Sequence, residues 1–364
     1  MKLKKRLKTI VCGSRFGQFY IEALNLLKED FEIVGLLAKG SERSISCAKE
    51  YGIKLYTDIK ELPTDIDLAC VVVKSGVIGG NGTELTLEFL SKGINVILEQ
   101  PVHYNDITKC MKVARKNNVC FHIGDLYVNL PSVKKFSLYS KAILKEQKGL
   151  YIDLSCTTQV SFPLVHILLK ILSSTRPLKI NDNIEKVGIL KILTGKIGDI
   201  PILIKADNRL DPENPDNCLP LLHEINIGFE GGRISLIETH GFIVWSPCLY
   251  VPEVNGIPNK FKDKCPLNLI DNSSEILGGI TENSFKDILT KEWPVAIGKD
   301  LIFIKDMILK DIKKEVLNKN GQQNLLCSKY WHEITKKLGY PSIKNNDDYK
   351  HISINNLQQI IVND

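Results

Sequence analysis

Five short segments of this sequence carry residue types suited to binding charge or moving a proton. The first, Val11-Cys12-Gly13-Ser14-Arg15-Phe16-Gly17, closes an apolar run. Such a turn can aim backbone N–H groups and a helix N-terminus at a pyrophosphate. In the register of the usual G-x-G-x-x-G pattern, the three glycine positions hold Cys12, Ser14 and Gly17, with Gly13 between them. A plain strand–turn–helix competes with this reading, but the turn opens a βαβ pattern. Gly13, Ser14, Arg15, Phe16 and Gly17 are therefore assigned to a dinucleotide cofactor. The second segment is Ala38-Lys39-Gly40-Ser41-Glu42-Arg43-Ser44. NAD sites tend to place an acid at the end of the second strand, on the ribose 2′-OH. Here no acid ends the strand, and Ser41, Arg43 and Ser44 offer an anion pocket, which favours NADP. Ser41 also suits the N-cap of the next helix, and the two roles are compatible.

The third segment is Lys74-Ser75-Gly76 with Gly79, Gly80 and Gly82, where backbone can approach a ligand closely. The fourth is Glu99-Gln100-Pro101-Val102-His103, and the fifth is Gly124-Asp125-Leu126-Tyr127. Lys74, Ser75 and Glu99 complete the cofactor-binding set. His103 and Tyr127 emerge at the carboxyl ends of strands, on the same side of the sheet as that set. A packing role for Tyr127 and a capping role for His103 are the alternatives. His122 lies mid-strand and reads as a core histidine. His166, in Phe162-Pro163-Leu164-Val165-His166, reads as structural. His223 with Glu224 lacks a third ligand at suitable spacing, so no metal is assigned.

These residues need a scaffold, and the first 125 residues supply one. Apolar runs at Lys8–Cys12, Phe31–Ala38, Leu68–Val73, Asn95–Leu98 and Val119–Asp125 alternate with helix-period segments at Phe16–Lys28, Ser41–Tyr51, Thr83–Lys92 and Asn105–Asn117. That alternation predicts βαβ units and a doubly wound parallel sheet. From Tyr151 strands dominate, at Tyr151–Gln159, Lys186–Thr194, Ile200–Ala206, His223–Phe229, Arg233–Thr239 and Phe242–Ser246. Helices are expected near Leu164–Leu172 and from Leu301 onward. Asn208–Pro220 and Pro247–Ser274 read as loops by composition. The expected class is α/β: an N-terminal Rossmann domain over residues 1–128, then an α+β domain over 129–364 with a large, mostly antiparallel open sheet. C-terminal helices are able to pack back on the first domain.

Composition narrows the function classes. The 364 residues carry 48 Lys+Arg against 42 Asp+Glu, a net charge of +6, too mild to argue for nucleic acid. No apolar run approaches the roughly 18 residues a membrane helix needs. The basic start, with Lys2, Lys4, Lys5, Arg6 and Lys8, leads into a strand rather than a secretory apolar segment. The ten cysteines are scattered without a C-x-x-C, as expected of buried thiols in a reducing cytoplasm.

Taken together, these motifs resemble the glucose-fructose oxidoreductase/inositol dehydrogenase superfamily, and within it the thiazolinyl imide (imine) reductases of siderophore assembly lines. Gly13–Gly17, Val34–Ser41, Val71–Ser75 with Gly79 and Gly80, Glu99–His103 and Thr239-His240-Gly241-Phe242-Ile243-Val244-Trp245-Ser246-Pro247 carry the resemblance. It implies NADPH-dependent reduction of a thiazoline C=N to a thiazolidine, with the substrate tethered to a peptidyl carrier domain of a nonribosomal peptide synthetase. It also implies Tyr127 as general acid, with His103 as donor or orienter, and a homodimer. The sugar dehydrogenases of the superfamily usually have Lys where Gln100 stands. They often have an Asp four residues before a second-domain His, whereas Phe162 precedes His166, and Arg-Phe where Asn129-Leu130 precede Pro131. A sugar or cyclic-imine oxidoreductase, or a non-catalytic NADP-binding interaction protein, are the alternative functions.

Overall fold

The computed structural model describes residues 6–251, 253–254, 257–258, 272–279, 283–310, 312–344 and 349–362. Lys2, Lys4, Lys5, Cys265 and most of the Pro247–Ser274 loop lie outside the described residues.

Six strands form the first sheet: β1 (Leu7–Cys12), β2 (Phe31–Leu37), β3 (Leu55–Tyr56), β4 (Leu68–Val71), β5 (Asn95–Glu99) and β6 (Phe121–Gly124). Their order is β3-β2-β1-β4-β5-β6, and every pairing is parallel. Helices α1 (Gly17–Leu26), α2 (Glu42–Glu50), α3 (Gly82–Ser91) and α4 (Tyr104–Lys116) make the crossovers. The central strands are buried on both faces, so Leu68, Ala69, Cys70 and Val71 are all excluded from solvent.

After β6, helix α5 (Pro131–Glu146) leads to β7 (Tyr151–Thr157) and α6 (Ser161–Ile171). Next come β8 (Leu178–Val187), β9 (Leu190–Ile197), β10 (Ile200–Asp207), β11 (Arg209–Leu210), β12 (His223–Phe229), β13 (Gly232–Leu236), β14 (Ile243–Pro247), β15 (Glu253–Val254), β16 (Ile257–Pro258) and β17 (Glu275–Leu277). The second sheet runs β17-β14-β13-β12-β7-β10-β9-β8. Its strands alternate: Ile152, Leu154 and Cys156 of β7, and His223, Ile225 and Ile227 of β12, are buried. Helices α5 and α6 pack on this sheet.

The structure departs from the sequence reading in three places. Lys186–Thr194 is not one strand. A two-residue turn at Gly188-Ile189 splits it, and β8 pairs with β9 from Val187↔Leu190. Ile189 is β-branched and apolar, so it hides a turn that the left-handed Gly188 makes sterically easy. Helix α5 was not anticipated; Pro131 opens it, and Val133, Phe136 and Ser140 line its buried face. Strand β3 was not anticipated either; the one parallel pair, β10 with β7, leaves the second sheet mostly antiparallel, as expected.

Two long helices follow. A π turn at Ile288–Glu292 runs into α7 (Trp293–Ile308), and α8 is Lys314–Leu338. Helix α7 lies on α1 and reaches β5 and β6, while α8 bridges α4 and α6. An ion pair between the buried Lys305 and the partly exposed Asp30 joins α7 to the start of β2. The second half of the chain therefore packs against the first sheet. Among the described residues no helix is long and apolar enough to cross a membrane. All nine described cysteines are free thiols, and six are buried.

The Asn208–Pro220 segment is anchored rather than loose. Asn208 is 2% exposed, and its Nδ2 faces the carbonyls of Leu338, Gly339 and Tyr340 at 3.1, 3.3 and 3.2 Å. Its Oδ1 accepts from Thr158 Oγ1 at 2.8 Å. Beside it β11 pairs with β18 (Ser342–Ile343). Asn208→Ala strands these buried groups, so it should cost about 1–3 kcal/mol of folding stability. A urea unfolding midpoint equal to that of the unsubstituted protein would contradict this.

Candidate active site

Strand order in the parallel sheet reverses between β1 and β4, and ligands of such sheets bind at the carboxyl ends beside that switch point. Gly13 leaves β1 with φ +99°, and a Cβ there would sit 2.5 Å from the Val72 carbonyl oxygen. Gly17, at the first position of α1, would bring a Cβ 3.2 Å from Val11. Both glycines thus let the turn close tightly under the helix N-terminus. Ser14 is nearly buried, and Arg43 Nε reaches its Oγ at 3.5 Å. Ser41 caps α2, its Oγ accepting from the Ser44 amide at 3.4 Å. Ser44 is fully buried and donates its hydroxyl to the Ser41 carbonyl at 2.7 Å, which commits its one O–H to the cap. Ser14, Ser41 and the exposed Arg43 therefore form one corner beside the Gly13 turn.

Arg15 donates to Asn214 Oδ1, which brings the 208–220 segment against the Gly13–Gly17 turn. Phe16 turns the other way. Its ring lies 5.2 Å from Phe19 and 5.8 Å from Trp293, and Phe19 meets Trp293 at 5.0 Å. Ser75 is buried and donates to the Pro101 carbonyl at 2.6 Å, tying the loop after β4 to the end of β5. The Lys74 carbonyl accepts from the Gly82 amide at 2.9 Å, and its side chain is exposed. Glu99 faces α1, where its Oε2 accepts from Tyr20 Oη at 2.5 Å. Burial pushes the Glu99 carboxyl well above the usual range, against the pull of the Tyr20 hydrogen bond.

Tyr127 begins a single 3-10 turn directly after β6. It is 8% exposed, and its ring stands edge-on to His223 at 5.2 Å and meets Trp293 at 6.4 Å. Burial first, then Asp125 and three further carboxylates, raise its phenol, which stays protonated at neutral pH. His103 caps α4: its Nδ1 accepts from the Asn105 amide at 3.3 Å. Its ring stacks on Tyr104 at 4.2 Å and meets His332 at 5.0 Å. Burial, then the neighbouring His332, lower its pKa. The structure thus gathers Tyr127, Trp293, Phe16 and His223 in one aromatic wall, and turns His103 toward α8.

Several of these residues escaped the sequence reading. Trp293 comes from a distant helix; its rarity, one of three tryptophans, was the available signal. Its Nε1 donates to His240 Nε2 at 3.4 Å, and Glu292 lies 3.6 Å from His240 Nδ1. His223, weighed only as a metal ligand, has both nitrogens engaged instead. Nε2 donates to the Val160 carbonyl at 2.7 Å, and Nδ1 accepts from Thr239 Oγ1 at 2.9 Å. The bond to a carbonyl fixes that tautomer. His166 also has a partner absent from the local sequence: Asp125 Oδ2, 2.9 Å from its Nδ1.

Residues 7–125 match the family described as oxidoreductase, NAD-binding Rossmann fold. Residues 147–246 match the C-terminal domain of thiazolinyl imine reductases of the Irp3-like type. The two matches bear out the resemblance to this oxidoreductase superfamily and, over residues 147–246, to its thiazolinyl imine reductases. No curated protein sequence matches it. Solved structures share the fold at low identity. UDP-N-acetylglucosamine 3-dehydrogenase GnnA from Acidithiobacillus ferrooxidans is 8% identical with a TM-score of 0.62, covering 92% of this chain and 98% of its own. GenD2 from gentamicin A biosynthesis, in complex with NAD, is 10% identical with a TM-score of 0.61, covering 91% and 94%. Biliverdin reductase from Synechocystis, with biliverdin and NADP+, is 10% identical with a TM-score of 0.60, covering 92% and 99%. The protein is an oxidoreductase with a nicotinamide dinucleotide cofactor.

Burial lowers the His223 pKa to about 4, against the opposing effect of its bond to Val160. The unfolded chain takes up this proton near pH 6.5, so between pH 6.5 and 4 it holds more protons than the folded one. Stability from this group is full above pH 6.5 and lost on acidification toward pH 4, by about 3 kcal/mol. His223→Gln should flatten that part of the pH dependence of urea unfolding. An unchanged slope between pH 6.5 and 4 would contradict the assignment.

Proposed function

We propose that the protein is an NADPH-dependent reductase of a thiazoline C=N, converting a carrier-bound ring to a thiazolidine during siderophore-type peptide assembly. The observation that carries the reading is the placement of Tyr127 after the last strand of the parallel sheet, against Trp293 and His223, in a chain whose residues 147–246 match thiazolinyl imine reductases. The cradle at Gly13, where any Cβ would strike the Val72 carbonyl, fits a pyrophosphate approaching backbone. Arg43, Ser14 and Ser41 would hold a 2′-phosphate, and no carboxylate ends β2 to bind a ribose 2′-OH. When bound, a dihydronicotinamide supplies the hydride that the imine carbon accepts.

The chain supplies the rest. Tyr127 donates its phenolic proton to the ring nitrogen as that atom becomes basic, and regains it from solvent. Such a donor is worth roughly 10²–10⁴-fold in rate. Trp293 and Phe16 form an apolar wall that excludes water from the reacting bond. His103 caps α4 and packs beside Tyr104 and His332, a placement suited to orienting more than to donating. Gln100 cannot titrate, so it offers no base for alcohol oxidation, which disfavours a sugar substrate. The partner in this reading is a peptidyl carrier domain presenting the thioester, and the assembly is a homodimer acting in the cytoplasm.

The test is NADPH and NADH oxidation with a synthetic thiazoline thioester. NADPH should be preferred. Arg43→Ala should raise KM for NADPH roughly tenfold, the loss of one charge-assisted contact, and leave KM for NADH within about threefold. Equal losses with both coenzymes would contradict the phosphate corner, and no oxidation of either would contradict the reaction.

A further inference from the structure

We propose that Asp300, on α7, is the positioning residue that holds Tyr127 as proton donor, by gripping both ends of the turn that carries it. This rests on the reading of Tyr127 given above. The turn is short, Tyr127–Asn129, and Tyr127 is flanked by Asp125 and Asn129. Asp300 Oδ2 accepts from the Asp125 amide at 2.8 Å, before the tyrosine. Asp300 Oδ1 accepts from Asn129 Nδ2 at 3.0 Å, after it, with His122 Nε2 at 3.5 Å. One carboxylate thus spans the whole turn. The preceding residue, Lys299, adds a bond from its Nζ to the Asn129 carbonyl at 2.9 Å.

The grip reaches the tyrosine through one intermediate. Asp125 is 1% exposed, and its Oδ1 accepts from the Tyr127 amide at 3.0 Å. Its Oδ2 faces His166 Nδ1 at 2.9 Å, so both carboxylate oxygens are engaged and the Asp125 rotamer is fixed. The amide of Tyr127 is therefore pinned to Asp125, Asp125 to α7 by its amide, and to α6 by its carboxylate. A carboxylate suits position 300 because it accepts at two oxygens, whereas an amide offers one oxygen for two donors. Asp300 acts through the turn: its hydrogen bonds go to Asp125, Asn129 and His122. A proton donor must lie within hydrogen-bond reach of its acceptor, and a misplacement of about 1 Å costs on the order of 10²-fold.

The experiment compares Asp300→Ala, Asp300→Asn, Asn129→Ala, Tyr127→Phe and the Asp300→Ala/Tyr127→Phe double variant, with NADPH and a synthetic thiazoline thioester. Asp300→Ala should lower kcat roughly 10- to 100-fold with both KM values within about threefold, and raise the solvent deuterium isotope effect on kcat. Asp300→Asn and Asn129→Ala, each losing one leg, should fall between. In the Tyr127→Phe background, Asp300→Ala should add less than about twofold. Amide hydrogen exchange over residues 125–129 should quicken in Asp300→Ala while β1 keeps its protection. If Asp300→Ala fails to fold, the two single-leg variants carry the same kinetic and exchange comparisons. A full additive loss in the double variant, or unchanged exchange at 125–129, overturns the proposal and leaves the donor reading standing. An unchanged kcat in Tyr127→Phe overturns both.

Discussion

The architecture of the crevice depends on one close approach of backbone to backbone. Gly13 leaves β1 with positive φ, and the Val72 carbonyl oxygen occupies the space that a Cβ would need. Because nothing larger fits, the ends of β1 and β4 close together, and α1 starts immediately, at Gly17. That fixes Phe16 at the head of the helix and places Phe16 and Phe19 under Trp293. Trp293 in turn contacts Tyr127, and Tyr127 contacts His223. The aromatic wall is thus a sequence of contacts that begins at a glycine and crosses from one sheet to the other.

The wall also shows why the second half of the chain is needed. The parallel sheet brings Tyr127 to the right edge, yet supplies little to shield it. Trp293 arrives from α7 and His223 from the open sheet. Asn214 arrives from the segment after β10, on the opposite flank, where it takes the hydrogen bond of Arg15. A phenol in such company loses water and gains carboxylate neighbours, and both disfavour the phenolate. The same burial keeps His223 neutral, with its two nitrogens committed to Val160 and Thr239. A neutral partner edge-on to the phenol ring, with both nitrogens engaged elsewhere, does not draw its proton away.

Much of this was legible in the sequence where the signals are local. The run Leu68–Val71 announced a strand buried on both faces, and the turn from Cys12 to Gly17 announced a helix start. Other features were legible only as pairs of compatible roles. Ser41 does cap α2, and His103 does cap α4, because a side-chain acceptor just before a helix satisfies its free amides. What could not be read were contacts between segments far apart in the chain. Asp125 with His166, Trp293 with Phe16, and Arg15 with Asn214 have no shared periodicity. The hairpin at Gly188-Ile189 was hidden for a different reason: an apolar residue in the turn kept the strand pattern unbroken.

The direct test of the account is a crystal structure of the protein with NADP+ and a thiazolidine thioester, the oxidised coenzyme and the reduced ring. The account predicts Tyr127 Oη within about 3 Å of the ring nitrogen, the reach of a proton donor. It also predicts the 2′-phosphate on Arg43 and Ser14. A ring nitrogen that faces His103 or bulk solvent, with Tyr127 directed at His223 and away from the ligand, would contradict it.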